Sequence, residues 1–396
     1  MARTMLTRRE FFSLAGLAGL GTLAGCSAPE SSRAPEPEER ATVYDAAAPD
    51  ELTVLMVGDV LVHAGVRRSG ERADGTRNYD HLFAQVADDV SAADLALVGQ
   101  ETILGGEGLG FSGYPSFNSP QEFGDAEVAA GFDVALCASN HALDRGMPGI
   151  ESALGYWRSA HPDVLVTGIA DSQEAFDALP LVEREGHRIA VLNYTYGTNG
   201  IPLPQPWAVR LLDEARIAAD AAAAREAGAE AIVACPHWGV EYAAGPDDEQ
   251  RRWAQALADA GVDAIIGGHP HVMQPFEVIE SSEGRAVPVF WSVGNFTSTQ
   301  PRKDTMVGAM AQVSLRFDGS CEVTSCTLTP LVTHRASGTA FTTYRLTDYT
   351  EGLAASNQIR SSSGCGDFSF QWCVDFCAER LGDAFDASTG QLVWEA

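Results

Sequence analysis

The chain has 396 residues, enough for one large domain or two smaller ones, and 45% of them are hydrophobic, ample for a sizeable core. Against 26 Lys+Arg stand 54 Asp+Glu, a formal charge of −28. That balance excludes a general electrostatic attraction to nucleic acid or anionic lipid. An anionic ligand therefore needs a local source of positive charge, and a metal ion is the obvious one.

In chain order, the first segment reads as an address. Thr7-Arg8-Arg9-Glu10-Phe11-Phe12 is a twin-arginine pattern. The apolar stretch from Phe11 to Ala24 that follows is too short and too Gly-rich to span a membrane comfortably. It ends in Leu23-Ala24-Gly25-Cys26, which resembles a bacterial lipobox. Residues 1–26 are thus expected to be a twin-arginine lipoprotein signal peptide, cleaved before a lipidated Cys26, leaving an extracytoplasmic, membrane-anchored protein. Residues 27–50, rich in Pro, Glu, Ser and Ala, cannot bury a core and read as an extended tether.

From Glu51 the chain alternates between apolar runs and helical patterns. Strands are expected at 52–57, 95–98, 134–137, 189–194, 232–235, 264–266 and 289–292. Helices are expected at 79–93, from near Pro148, at 211–227 with Gly228 as stop, and at 248–260 with Gly261 as stop. After about Asp304 the rhythm changes. Residues 306–317 and 321–331 flank Asp318-Gly319, a hairpin signal. The alternation argues for an α/β layered fold, with a domain over 51–335 and a C-terminal extension over 336–396.

Polar groups recur where strands end. Asp59 follows one strand, after Gly58, which permits a sharp turn, and Glu101 follows the next. Asn140, His141 and Asp144 lie in the loop Ser139 to Gly146. Cys235-Pro236-His237 ends a further strand, and Gly267-Gly268-His269-Pro270-His271 another; both histidines of the latter can face one site only if the loop is irregular, which Gly267, Gly268 and Pro270 allow. Catalytic and ligand-binding groups in open α/β sheets gather at this edge. Asp59, Glu101, Asn140, His237, His269 and His271 are therefore expected to converge on one metal site. Mixed imidazole, carboxylate and carbonyl donors suit Mn, Fe or Zn, and six ligands exceed what one tetrahedral ion needs, so two ions are expected.

These motifs, with His237-Trp238-Gly239-x-Glu241-Tyr242, Phe117-Asn118-Ser119-Pro120 and Ser292-Val293-Gly294-Asn295-Phe296, resemble those of the CapA family. These are capsule or poly-γ-glutamate synthesis proteins related to calcineurin-like metallophosphoesterases. The likeness runs from about Leu52 to Phe296. It implies a four-layer α/β/β/α sandwich of the metallophosphoesterase type. Asp59 would bridge two divalent ions, with Asn140, His237 and His269 on one, His271 on the other and Glu101 nearby. His141 would act as general acid or as a cation stabilising the transition state. Asp144 would orient His141 or cap the following helix. Gly99 stands where the family often has Asn. The first motif lacks the His that metallophosphoesterases carry two residues after the Asp, and His63 lies four residues on.

The implied activity is metal-dependent, phosphoesterase-like hydrolysis acting on an anionic cell-surface polymer or phosphoester, alongside other capsule-synthesis proteins. The alternative is a non-catalytic polymer-binding or scaffold protein on the same fold. Trp238, Glu241 and Tyr242 are expected to line the substrate cleft, although Trp238 could equally pack over the sheet. Asn295 bonds a ligand or holds a turn, and Arg145 meets a substrate anion or is a solvated charge. Cys137 and Cys235 read as core thiols. At least one disulfide is expected among Cys321, Cys326, Cys365, Cys373 and Cys377.

Overall fold

The computed structural model of the chain describes residues 51–396. The twin-arginine pattern, Cys26 and the tether lie outside the described residues.

The first strands are β1 (Glu51–Val60), β2 (Leu95–Gly99), β3 (Val134–Leu136) and β4 (Leu165–Thr167). Next come β5 (Leu181–Arg184), β6 (His187–Thr195), β7 (Ala231–His237), β8 (Ala264–Ile266), β9 (Phe276–Glu280) and β10 (Ala286–Phe290). The series closes with β11 (Asn295–Thr297), β12 (Val307–Phe317), β13 (Cys321–His334), β14 (Thr342–Arg345), β15 (Phe385–Asp386) and β16 (Gln391–Glu395). They form two sheets. One runs β15-β16-β13-β12-β1-β2-β3-β4, with β11 added on β1 and β14 on β13. The other runs β5-β6-β7-β8-β10-β9. In each, the central neighbours β1-β2-β3-β4 and β6-β7-β8-β10 are parallel, so their C-terminal ends share one edge.

Period-two alternation sorts the side chains into layers. Val54, Met56, Leu97, Val134 and Leu136 face Ile189, Val191, Val233 and Ile266 between the sheets. The intervening Leu55, Val57, Ala96 and Val98 face outward. They meet the short helices α1 (Asp80–Phe83) and α2 (Ala87–Ala92), then α3 (Glu122–Ala130) and α4 (Gly146–Ala160). On the far side, Ala190, Leu192, Ile232 and Ile265 meet α5 (Glu214–Glu226) and α6 (Asp248–Asp259). The result is the expected four-layer α/β/β/α sandwich. Helix α5 starts where Asp213 accepts the Arg216 N–H at 2.8 Å, and α6 starts with a capping box between Asp247 and Gln250.

Several local expectations change. The helix read over 79–93 is two short helices. The strand expected to stop at Val57 runs on to Val60. Gly58 does not turn the chain; instead the register of β1 shifts against β2 and β11 around Asp59. Such a shift re-aims one side chain without ending the strand. Residues after His334 add β14 and β16 to the first sheet, and helix α7 (Phe370–Leu381) packs Cys373, Phe376 and Cys377 into the inter-sheet core.

The expected disulfide does not form among the described residues: Cys321, Cys326, Cys365, Cys373 and Cys377 are all free. Cys326 lies opposite Val313 and Trp394 in the sheet. Cys373 and Cys377 sit side by side on one helix face rather than opposed. Burial pushes the Cys321 and Cys377 thiols up to about 12, so they act as small apolar core residues. Cys137 and Cys235 are buried as expected.

Candidate metal centre

The register shift at β1 turns Asp59 toward the other sheet, where its Oδ2 accepts the backbone N–H of His269 at 3.0 Å. Its two oxygens then face two imidazoles, with Oδ2 3.3 Å from His271 Nδ1 and Oδ1 3.8 Å from His237 Nδ1. Glu101, at the end of β2, lies between the same groups. Its Oε1 is 3.9 Å from His237 Nε2 and 4.0 Å from His141 Nε2, and its Oε2 is 3.8 Å from His271 Nδ1. Asn140 Oδ1 is 2.9 Å from His237 Nε2, and His269 Nδ1 is 3.2 Å from that same nitrogen. All six expected ligands thus meet. Five of them form two trios with ligand atoms within 4.8 Å of one another: Glu101, His237 and His269, and Asp59, Glu101 and His271, with Glu101 in both; Asn140 stands beside the first.

The loop that delivers the histidines is irregular, as its glycines suggested. His269 and His271 both hold positive φ, at 97° and 61°. This backbone costs a non-glycine residue of the order of 1–3 kcal/mol and persists where surrounding structure enforces it, typically at functional sites. Gly268 is required for closeness: a Cβ there would stand 2.7 Å from Asp59 Oδ1.

The electrostatics are those of a buried cluster. Burial, then the charge of neighbouring imidazoles, holds His237 and His269 well below the ordinary histidine range, keeping them in the neutral form that ligates metals. Burial first, and then Asp59, Glu241 and Asp144, drive Glu101 well above the carboxylate range. Both Glu101 oxygens are buried without a hydrogen-bond partner among the described residues. Natural proteins rarely leave a buried carboxylate this way, and a cation among these donors is what would satisfy it.

His141 belongs to the same group. Its Nδ1 is 2.7 Å from Asp144 Oδ2, and that oxygen also accepts the Phe117 N–H at 2.6 Å. Asp144 therefore orients His141 and does not cap α4, whose first turn lacks a side-chain cap. The ring's Nε2 is left facing the centre.

Other expectations shift. Trp238 is fully buried; it packs against the helices over the second sheet, with Nε1 donating to Trp291 O at 2.9 Å, and cannot line a cleft. Asn295 is buried too, and its Oδ1 sits 3.1 Å from His271 Nδ1, so it positions that ring. Arg145 is occupied with the loop below it, bonding Ser116 Oγ, Ser116 O and Ser112 Oγ, and does not meet the centre. Glu241 is exposed, and Tyr242 is half-buried with its ring centroid 6.0 Å from that of His271, which leaves them on the rim. Three residues were not anticipated. Tyr196 tilts against the His269 ring at 4.5 Å, and Asn199 Oδ1 accepts from Asn140 Nδ2 at 3.2 Å. Both follow β6, so the strand-end rule applied to Thr195 would have found them. His63 is the third, and Thr299 N donates to its Nδ1 at 3.4 Å.

Two facing sheets flanked by helices, with carboxylates and imidazoles from both gathered at one edge, define an α/β sandwich with a candidate metal centre. The family model described as bacterial capsule synthesis protein PGA_cap matches residues 53–300, and the chain belongs to that family. It is 31% identical over 217 residues to the PGA biosynthesis protein CapA of Bacillus subtilis, covering 52% of each chain. It is 27% identical to the capsule biosynthesis protein CapA of Bacillus anthracis, over 68% of this chain and 66% of that one. The match thus spans between half and two thirds of these relatives. Among solved structures, a 5′-nucleotidase precursor from Thermus thermophilus aligns over 71% of this chain and 54% of its own, with TM-score 0.47 and 19% identity. The calcineurin-like phosphoesterase YfkN from Bacillus subtilis aligns over 69% and 88%, with TM-score 0.42 and 15% identity. Neither structural likeness bears on activity or ligand.

Replacing Glu101 tests the electrostatics directly. A carboxyl raised on folding opposes folding once the pH exceeds the unfolded value, about 4.3, and has no effect below it. Metal-free Glu101→Gln should therefore match or exceed the wild type in denaturant midpoint at pH 7, with the gap closing toward pH 4. Added Mn should stabilise the wild type and leave the variant unmoved. A metal-free variant less stable than wild type at pH 7 would contradict this account of Glu101.

Proposed function

We propose that this protein is exported, lipid-anchored through Cys26, and acts on an anionic cell-surface polymer in capsule or poly-γ-glutamate type synthesis, using a metal-dependent phosphoesterase-like hydrolase site. The observation that carries the reading is Glu101, a buried carboxylate whose two unpartnered oxygens lie among Asp59 and imidazoles. Asp59, Glu101 and His271 would hold one divalent ion; Glu101, His237 and His269, with Asn140 beside them, would hold a second. Such donors suit Mn, Fe or Zn. Bound ions would supply Lewis acidity and lower the pKa of water to near neutrality.

The remaining steps belong to the chain. Asp144 accepts from His141 Nδ1–H and fixes the ring so that Nε2 faces the centre. A proton on Nε2 then passes to the leaving oxygen of the substrate. Asn295 holds His271 in place, and Tyr242 and Glu241 stand where substrate enters. The export and anchoring part of the proposal is supported by Arg8-Arg9 and Leu23-Ala24-Gly25-Cys26, and the capsule context by the family.

Two measurements test these parts separately. The metal-loaded full chain should hydrolyse p-nitrophenyl phosphate or its bis-ester. Asp144→Asn should lower kcat by about 10²–10⁴-fold with KM little changed, the range that a positioned general acid contributes. A loaded wild type that binds phosphate and hydrolyses neither ester would favour a protein that holds polymer without cleaving it. In the producing cell, Cys26→Ser should move the protein from the membrane fraction to the soluble extracytoplasmic fraction; unchanged membrane retention would count against the lipid anchor.

A further inference from the structure

Exposed apolar side chains gather at one place on this molecule. Among the described residues six large hydrophobic side chains are exposed, and four of them, Tyr114, Tyr196, Ile201 and Val240, lie on loops that border the metal centre. Single exposed apolar residues are ordinary, whereas a group of them around one opening marks a binding surface. Each loop is fixed to the centre. Phe117, three residues after Tyr114, meets His141 edge-on at 4.7 Å, and Asn199 accepts from Asn140 at 3.2 Å. The Tyr242 N–H donates at 2.8 Å to the carbonyl of Pro270, which lies between His269 and His271. The backbone is forced here as well. Of the five non-glycine residues with positive φ among the described residues, four belong to this rim and centre: Asn199, Tyr242, His269 and His271. Such strain clusters where a ligand is gripped.

Two tyrosines flank the two trios. The Tyr196 ring centroid is 4.5 Å from that of His269 in the first, and the Tyr242 centroid is 6.0 Å from that of His271 in the second. Gln300 Nε2 donates to the Tyr242 hydroxyl at 3.2 Å and pins that ring. Glu241, exposed beside them, acts on both. Burial first, and then the Glu241 charge, push the two hydroxyls up to about 12, so each stays a protonated donor at neutral pH. The same carboxylate bonds the Tyr242 hydroxyl. The arginines placed here are engaged elsewhere. Arg302 lies over the Tyr242 ring at 4.5 Å but is paired with Asp304 at 2.6 Å, and Arg145 is held by the 112–116 loop.

Resting on the hydrolase reading above, we propose that Tyr196, Glu241 and Tyr242 form a subsite for a neutral sugar ring, carried by the same ligand whose phosphoryl group lies at the metals. A sugar presents an apolar C–H face and an edge of hydroxyls, and this rim answers both. The tyrosine rings and Val240 meet the face, Glu241 accepts from hydroxyls, and the tyrosine O–H groups bond them. An alkyl chain would leave Glu241 without a partner. A carboxylate would meet Glu241 as a like charge, with Arg302 and Arg145 already taken. The polymer therefore draws its charge from phosphodiesters between sugars rather than from carboxylates along its repeat.

The test uses the metal-loaded full chain and non-hydrolysable probes. Calorimetry would compare methylphosphonate, cyclohexylmethylphosphonate and the phosphonomethyl analogues of hexose 1-phosphates in the gluco, galacto and manno series. The best hexose should bind about tenfold or more tighter than the cyclohexyl probe, the scale of one hydrogen bond to a charged group. Glu241→Ala, at an exposed position, should remove most of that preference. Tyr196→Ala should weaken both ring probes relative to methylphosphonate, and Tyr196→Phe should restore the cyclohexyl probe more than the hexose. A carboxylate in place of the ring, in phosphonopropionate against propylphosphonate, should bring no gain. Equal affinity for the cyclohexyl probe and every hexose overturns the subsite alone. So does a hexose preference that survives both Glu241→Ala and Tyr196→Ala, or a tenfold gain from the carboxylate. Failure of every phosphonate to bind, methylphosphonate included, overturns both the subsite and the hydrolase reading.

Discussion

The structure depends on holding two carboxylates, Asp59 and Glu101, out of water in the seam where the two sheets bring their strand ends together. An unpaired buried carboxylate costs several kcal/mol, more than a typical hydrogen bond returns, so the surroundings must supply positive charge or force a proton on. Asp59 is partly answered by the His269 N–H, but among the described residues no donor answers Glu101. The irregular features nearby serve this seam. The register shift in β1 aims Asp59, Gly268 keeps clear of it, and the left-handed backbone at His269 and His271 brings both rings onto the same carboxylates.

That strain needs a strong frame. A fully buried Val or Leu contributes about 1.5–3 kcal/mol, so a few inter-sheet positions such as Val54, Leu97 and Val233 outweigh a loop held off its preferred backbone. Layers of apolar strands closed by helices on both sides make the seam rigid, and that rigidity lets His141 be oriented through one carboxylate, Asp144, rather than through a mobile surface contact.

Much of this was legible in the sequence because its signals are local. Strand alternation, helix caps and the placement of Asp59, Glu101, Asn140, His237, His269 and His271 at strand ends follow from neighbours in the chain. What failed depended on distant packing. Gly58 looks like a turn until Gly294 is seen against it, with a Cβ there only 1.9 Å from Gly294 O. Trp238 beside His237 looks like a cleft residue, but strand alternation sends it to the opposite face, onto Trp291. Arg145 beside Asp144 looks like the cation of the site, but the 112–116 loop claims it. The cysteines pointed to a cross-link because of their number and spacing, and the structure uses them instead as small core residues.

The most direct test of the central claim is the metal content of the full chain, purified without chelator and incubated with Mn, Fe or Zn, measured beside an Asp59→Ala control. The account predicts about two transition-metal ions per chain, the number that two trios sharing one carboxylate would hold, with a clear loss in the control. A wild-type chain that retains no metal under any of these conditions would contradict it, and would leave Glu101 as a buried acid kept neutral by its proton.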